Sequence, residues 1–186
     1  MRGLYIGRFQ PYHLGHQAVL EKIAEEMEEI VIVVGSAQES HTSENPFTAG
    51  ERMDMIYAAL EQGGLRGRCC VIPLEDVNRN SVWVAYLQSM APRFDAVYSN
   101  NPLVVRLFRE AGVEVRSPTL YQRDLYSGTA IRRMMREGGD WAALVPEGVI
   151  SVIDRIKGVQ RLVSVSRSDK PYRSHDPSHS PSCQDG

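Results

Sequence analysis

The sequence predicts an α/β fold, a doubly wound parallel sheet of five strands with helices on both faces, and three observations lead there. Short apolar runs at residues 4–6, 30–34, 70–74, 95–100 and 113–115 read as strands. Segments with helical periodicity separate them, as crossover connections between parallel strands require. The second run, Ile30-Val31-Ile32-Val33-Val34, is continuously β-branched, the pattern of a strand buried on both faces of a parallel sheet.

Each element has its own warrant. Leu4, Tyr5 and Ile6 form the first strand, and Gly7 ends it where the backbone must turn closely. The loop that follows carries Arg8, His13 and His16, and the next helix begins near Gly15. A strand, a glycine-containing loop and a helix N-terminus with its unpaired N–H groups make a phosphate cradle, to which these three side chains add charge-assisted donors. Leu20, Ile23, Ala24 and Met27 give that helix an apolar face, while Glu21, Glu25, Glu26, Glu28 and Glu29 read as solvated. No Gly-x-Gly-x-x-Gly follows the first strand, which argues against an ordinary nicotinamide-dependent dehydrogenase.

Residues 36–50 are polar and rich in turn formers, a loop at the carboxyl end of the second strand where α/β folds bind ligands; Ser36 opens it. Thr48 and Glu51 form a capping-box pattern for a helix reaching Gln62, stopped by Gly63-Gly64. Beyond the third strand stand Asn78, Arg79 and Asn80, with Trp83 in the first turn of a helix capped by Asn80 or Ser81. The fourth strand ends in Tyr98, Ser99 and Asn100, modest site candidates. Asn101-Pro102 then starts a helix to Ala111 that Gly112 stops, before a fifth, edge strand. Ser127 or Thr129 caps a later helix whose free N–H groups can meet phosphate. Arg132 and Arg133, three and four residues beyond Thr129, can both reach one ligand. A further helix spans residues 146–156 after the Gly138-Gly139 break.

Composition sets outer limits. A chain of 186 residues, 42% hydrophobic and 24% charged, supports one ordinary core, so residues 1–165 are expected to form one domain. Residues 166–186, rich in Ser, Pro, Asp and His, read as a disordered tail, in which His175, His179 and Cys183 set no metal site. A net charge of −2 gives no footprint for nucleic acid or an anionic membrane, so phosphate binding must come from a local cluster. No apolar run is long enough to span a bilayer and no signal-peptide core is seen, so the expected compartment is the cytoplasm. Cys69, Cys70 and Cys183 form neither a disulfide framework nor a zinc spacing, and the adjacent pair reads as core filling.

Two constellations carry a resemblance. His13-Leu14-Gly15-His16 matches the His-x-Gly-His signature of the nucleotidyltransferase superfamily. The ten residues from Gly7 to His16 resemble the Gly-Arg-Phe-Gln-Pro-x-His-x-Gly-His of its archaeal-type nicotinamide mononucleotide adenylyltransferases. Ser127-Gly128-Thr129-Ala130-Ile131-Arg132 is similar to the Ser-x-Thr-x-Ile-Arg motif that binds triphosphate opposite the histidines, and Asn45-Pro46-Phe47-Thr48-Ala49-Gly50-Glu51-Arg52 is similar to a third segment of that family. The resemblance implies a Rossmann-like sheet of order 3-2-1-4-5. It places His16 on the α-phosphate of ATP, His13 and Arg8 on neighbouring oxygens, and Ser127, Thr129 and Arg132 or Arg133 on the β- and γ-phosphates. Gly7, Phe9, Gly15 and Gly128 complete that subsite. Nicotinamide mononucleotide falls to Ser36, Asn78, Arg79, Asn80, Trp83, Tyr98 and Asn100, with the indole stacked on the pyridinium.

The implied reaction is transfer of AMP from ATP to nicotinamide mononucleotide, giving NAD and pyrophosphate. Mg²⁺ is expected on the substrate phosphates, because no carboxylate cage is evident. A homo-oligomer is expected, its number of subunits left open. Three rivals stand beside this: an adenylyltransferase for another phosphate such as phosphopantetheine, which Trp83 argues against; a fragment of a class I aminoacyl-tRNA synthetase, for which the chain is too short; and a nucleotide-binding module with reduced turnover. Glu44 keeps the last one open, because the family usually has Lys or Arg immediately before Asn-Pro-Phe.

Overall fold

The computed structural model describes residues 1–118 and 126–168. Five strands, β1 (Arg2–Gly7), β2 (Glu29–Val34), β3 (Cys69–Pro73), β4 (Ala96–Tyr98) and β5 (Glu114–Arg116), form one parallel sheet in the order β3-β2-β1-β4-β5. The reversal between β1 and β4 opens a crevice beyond the carboxyl ends of the central strands, where such sheets bind ligands. Register aligns Leu4 with Val31 and with Val97. Backbone bonds from Gly35 to Gly7 and from Leu74 to Val34 carry the pairing past the strand ends into the loops.

Alternation along the strands divides the core in two. Tyr5, Ile30, Ile32, Val34, Val71 and Tyr98 face helices α1 (Leu14–Glu26) and α2 (Ala49–Gln62). On the same side lie α5 (Gly128–Glu137), α6 (Glu147–Arg155) and α7 (Gly158–Ser168), with α6 against α2 and α5 against α7. Leu4, Val31, Val33 and Val97 face α3 (Asn80–Met90) and α4 (Pro102–Glu110). The complete burial of Ile30 through Val34 is what a central strand covered on both faces requires.

Caps follow the sequence with one exception. Thr48 and Glu51 make both bonds of the capping box, Asn101 caps α4 ahead of Pro102, and Ser127 rather than Thr129 caps α5 by accepting from Ala130 N–H. Helix α3 differs: Arg79 is its N-cap and makes no side-chain capping bond, so neither Asn80 nor Ser81, both already inside the helix, fills that role. Cys69 is buried and its thiol pushed up to about 11 by desolvation, but Cys70 is exposed, because consecutive strand residues face opposite ways. Core filling therefore describes Cys69 alone.

Helix α7 is not foreseen by the sequence reading, and it continues to Ser168; residues 169–186 of the expected tail lie outside the described residues. Leu162 is its fully buried anchor. Arg161 forms a bidentate pair with Glu51 at 2.6 and 2.7 Å and donates to Pro46 O at 3.3 Å. Gly158 packs so closely that a Cβ there would lie 2.7 Å from the Phe47 ring. The helix thus fastens the Asn45–Thr48 strap that leads into α2.

Candidate active site

The site begins at His13, the N-cap of α1. Its Nδ1 accepts from His16 N–H at 3.3 Å, and His16 Nδ1 accepts from His13 N–H at 3.2 Å, so the two histidines form a capping box with each other. Their rings stack 3.5 Å apart, and Phe9 and Tyr12 stand 4.8 and 5.4 Å from the His16 ring. Two consequences follow. Both Nδ1 atoms are acceptors, so each neutral ring carries its proton on Nε2 and keeps that N–H for a ligand. Burial lowers His13 to about 4 and holds His16 well below its usual value, with His13 adding to the effect on His16; both are neutral donors at pH 7.

Two glycines let the distant motifs touch. A Cβ on Gly15 would lie 2.7 Å from Tyr126 Cβ, and one on Gly128 would lie 2.9 Å from Gln10 O and 3.1 Å from Arg132 Nη1. The histidine loop and the N-terminus of α5 consequently share one crevice. Arg132 crosses it: Nη1 donates to Gln10 O at 2.8 Å, Nε to Ser43 O at 3.2 Å and Nη2 to Thr129 Oγ1 at 3.4 Å. It is buried whereas Arg133 is exposed, so two arginines that sequence spacing left equal have different surroundings.

A second buried guanidinium, not singled out from the sequence, is Arg52. It is fully buried and donates to Arg8 O at 2.9 Å, Gly35 O at 2.8 Å, Ser36 O at 3.0 Å and Thr48 O at 3.2 Å. The signal was present in the helix pattern: Arg52 occupies the same stripe as Met55, Ile56, Ala59 and Leu60, where a charge is out of place. Arg52 and Arg132 are both lowered to about 10, first by burial and then by the positive charge of Arg8. The hydrogen bonds of both buried guanidinia go to carbonyls and a hydroxyl. Arg8 itself is exposed, with no side-chain partner among the described residues. Three cations gathered without a hydrogen-bonded carboxylate make the local positive field that the net charge of −2 required.

Glu44 is exposed, next in sequence to Ser43, and its charge acts to raise Arg132. In the same strap Asn45 Oδ1 is buried without a hydrogen-bond partner. The backbone is strained at the ends of three adjacent strands, where Phe9, Ser36 and Asn78 hold positive φ of 52°, 49° and 51°.

A cleft of 220 Å³ is lined by Asp76, Asn78, Arg79, Asn80, Trp83, Leu103 and Leu107, among others. Trp83 is half-buried and meets Phe108 edge-on at 5.6 Å, so one part of the indole packs in the core while another borders the cleft. Asn78, Arg79 and Asn80 stand beyond the end of β3 and line this cleft. Ser36, Tyr98 and Asn100 do not line this cleft. Ser36 gives its carbonyl to Arg52, and Asn100 donates to Pro118 O at 2.6 Å. Tyr98 is buried against α1; its hydroxyl donates to Glu26 at 2.8 Å and accepts from Arg116 at 3.1 Å. Its position at a strand end was right for a ligand, but the odd-even alternation of β4 turns its ring onto the helix.

A family model, cytidylyltransferase-like, matches residues 4–134, a span that holds both histidines and both buried arginines. The chain belongs to the cytidylyltransferase-like family. Its relatives in that family include the nicotinamide-nucleotide adenylyltransferase of Methanothrix thermoacetophila, 60% identical over 90% of this chain and 98% of that protein. Those of Methanolobus tindarius and Halorubrum lacusprofundi are 59% and 54% identical, over 92% and 91% of this chain and 98% and 95% of those proteins. A crystal structure of a bifunctional NMN adenylyltransferase/ADP ribose pyrophosphatase from Francisella tularensis, complexed with AMP and a manganese ion, superposes with a TM-score of 0.68 at 19% identity. It shares the fold; the match covers 88% of this chain and 52% of that one. Among the described residues no helix is long and apolar enough to cross a membrane, and no group of three His, Cys, Asp or Glu could hold a metal ion.

Proposed function

We propose that this chain transfers AMP from ATP to nicotinamide mononucleotide, releasing pyrophosphate and forming NAD. One observation carries the reading: beyond the carboxyl ends of the strands stand a cluster of cations and a cleft bordered by an indole, on a chain that matches nicotinamide-nucleotide adenylyltransferases almost end to end. The mononucleotide phosphate is already a nucleophile, so an oxygen of it attacks the α-phosphorus in line, the new P–O bond forms, and the bond to pyrophosphate breaks. No general base is needed.

His16 donates Nε2–H to the α-phosphate as charge builds there, and His13 and Arg8 serve neighbouring oxygens. Ser127, Thr129 and Arg132 hold the β- and γ-phosphates at the N-terminus of α5. Mg²⁺ enters as part of the MgATP substrate. The enzyme works in the cytoplasm as a homo-oligomer. Incubation with ATP, Mg²⁺ and nicotinamide mononucleotide yields NAD; product only with phosphopantetheine, or ATP binding without turnover, would replace this reading.

Two substitutions test the subsites separately. Trp83→Ala raises KM for the mononucleotide about tenfold, the worth of one stacked ring, and leaves KM for ATP within about twofold. Equal losses for both substrates would assign Trp83 to the core alone. Glu44→Arg raises kcat/KM for ATP about fivefold at low ionic strength, because it replaces an anion beside Arg132 by a cation, and the gain shrinks in high salt. Identical kinetics for the two proteins at both salt concentrations would show that Glu44 points away from the nucleotide.

A further inference from the structure

We propose that Gln10 is a positioning residue for adenylyl transfer: its buried carboxamide fixes the Phe47 strap, and its own carbonyl fixes the Arg132 guanidinium that meets the triphosphate. The inference rests on the adenylyltransferase reading above.

Gln10 is 4% exposed. Its Oε1 accepts from Phe47 N–H at 3.0 Å and its Nε2 donates to Phe47 O at 2.9 Å, so the side chain pairs with the strap backbone as a neighbouring strand would. Its main-chain carbonyl accepts from Arg132 Nη1 at 2.8 Å, with Gly128 packed so closely that any Cβ would displace it. Arg132 Nε in turn holds Ser43 O, four residues before Phe47. Gln10, Phe47, Ser43, Arg132 and Gly128 thus close a ring of contacts around the phosphate crevice, joining the β1–α1 loop, the strap and α5.

Only a side chain of this length with one donor and one acceptor completes both bonds to Phe47. Arg161 holds the far side of the strap through Pro46 O, so Gln10 is the bond on the crevice side. All of these contacts lie on the α1, α2, α5 and α7 side of the sheet, whereas the Trp83 cleft lies on the α3 and α4 side. Gln10 therefore acts on ATP and not on the mononucleotide. A role confined to stability would lower the active fraction, and so kcat, without moving KM.

The test uses Gln10→Leu and Gln10→Glu in the full chain, with ATP and nicotinamide mononucleotide varied separately and ATP binding measured by calorimetry. Gln10→Leu is expected to raise KM and Kd for ATP about tenfold and to leave KM for the mononucleotide within about twofold. Gln10→Glu adds a pH signature. The ionised carboxylate cannot donate to Phe47 O, but the protonated acid can. Its kcat/KM for ATP relative to the unmodified protein therefore climbs about fivefold or more between pH 8 and pH 5.5.

ATP constants unchanged in Gln10→Leu, or a flat pH ratio in Gln10→Glu, would overturn the proposal. Should the leucine variant fail to fold, the glutamate variant decides alone. Should the unmodified protein bind ATP but make no NAD, the reaction assignment fails, and the calorimetric comparison still scores Gln10.

Discussion

His16→Ala lowers kcat about 10²–10³-fold, with KM for either substrate changed about threefold or less, the loss typical of one donor aimed at charge that develops in the transition state. The capping geometry explains why the effect is kinetic. His16 Nδ1 is committed to His13 N–H, so the ring is fixed in the tautomer that offers Nε2–H, and it waits neutral because burial, and then the neighbouring His13, lower its proton affinity. Loss of half the capping box also costs about 0.5–2 kcal/mol of stability, which a thermal melt reads independently. NAD formation at an unchanged kcat would remove His16 from the catalytic machinery.

Arg132→Met lowers kcat/KM for ATP about 10²–10³-fold and reduces thermal stability, whereas Arg133→Ala changes kcat/KM about twofold or less. The contrast follows from burial. Arg132 satisfies Gln10 O and Ser43 O inside the crevice, and each buried acceptor left unpaired costs about 1–3 kcal/mol, besides the lost cation at the triphosphate. Arg133 is exposed and one residue further round the helix. Arg132→Lys falls between, since the charge remains but a single ammonium cannot reproduce a fork that reaches Gln10, Ser43 and Thr129 together. A larger loss from Arg133→Ala than from Arg132→Met would reverse the assignment.

Much of this molecule is local, and what is local was legible. The buried run from Ile30 to Val34, the capping box of Thr48 and Glu51 and the Asn101-Pro102 helix start depend on neighbours within a few residues, and each stands where the sequence put it. Asn78, Arg79, Asn80 and Trp83 also border a cleft, because they stand beyond the carboxyl end of β3, where the loops of such a sheet surround a crevice. Helix α7 escaped notice for the opposite reason. Its buried hydrophobic residue, among those described, is Leu162, and it also pairs Arg161 with Glu51, 110 residues away in sequence.

By itself the sequence determined the strand-helix alternation, the cation-bearing turn between β1 and α1 and the capped start of α5 at Ser127, because periodicity and capping act over a few residues. Only the tertiary structure decided what those residues touch. It buried Arg132 and left Arg133 exposed, turned Tyr98 onto α1, buried Arg52 under four carbonyls and paired the Gln10 carboxamide with Phe47. Each of these is a pairing of groups far apart in the chain, set by which face of an element meets which neighbour. A hydrogen bond across 122 residues, such as that from Arg132 to Gln10, leaves no mark on the spacing of either motif.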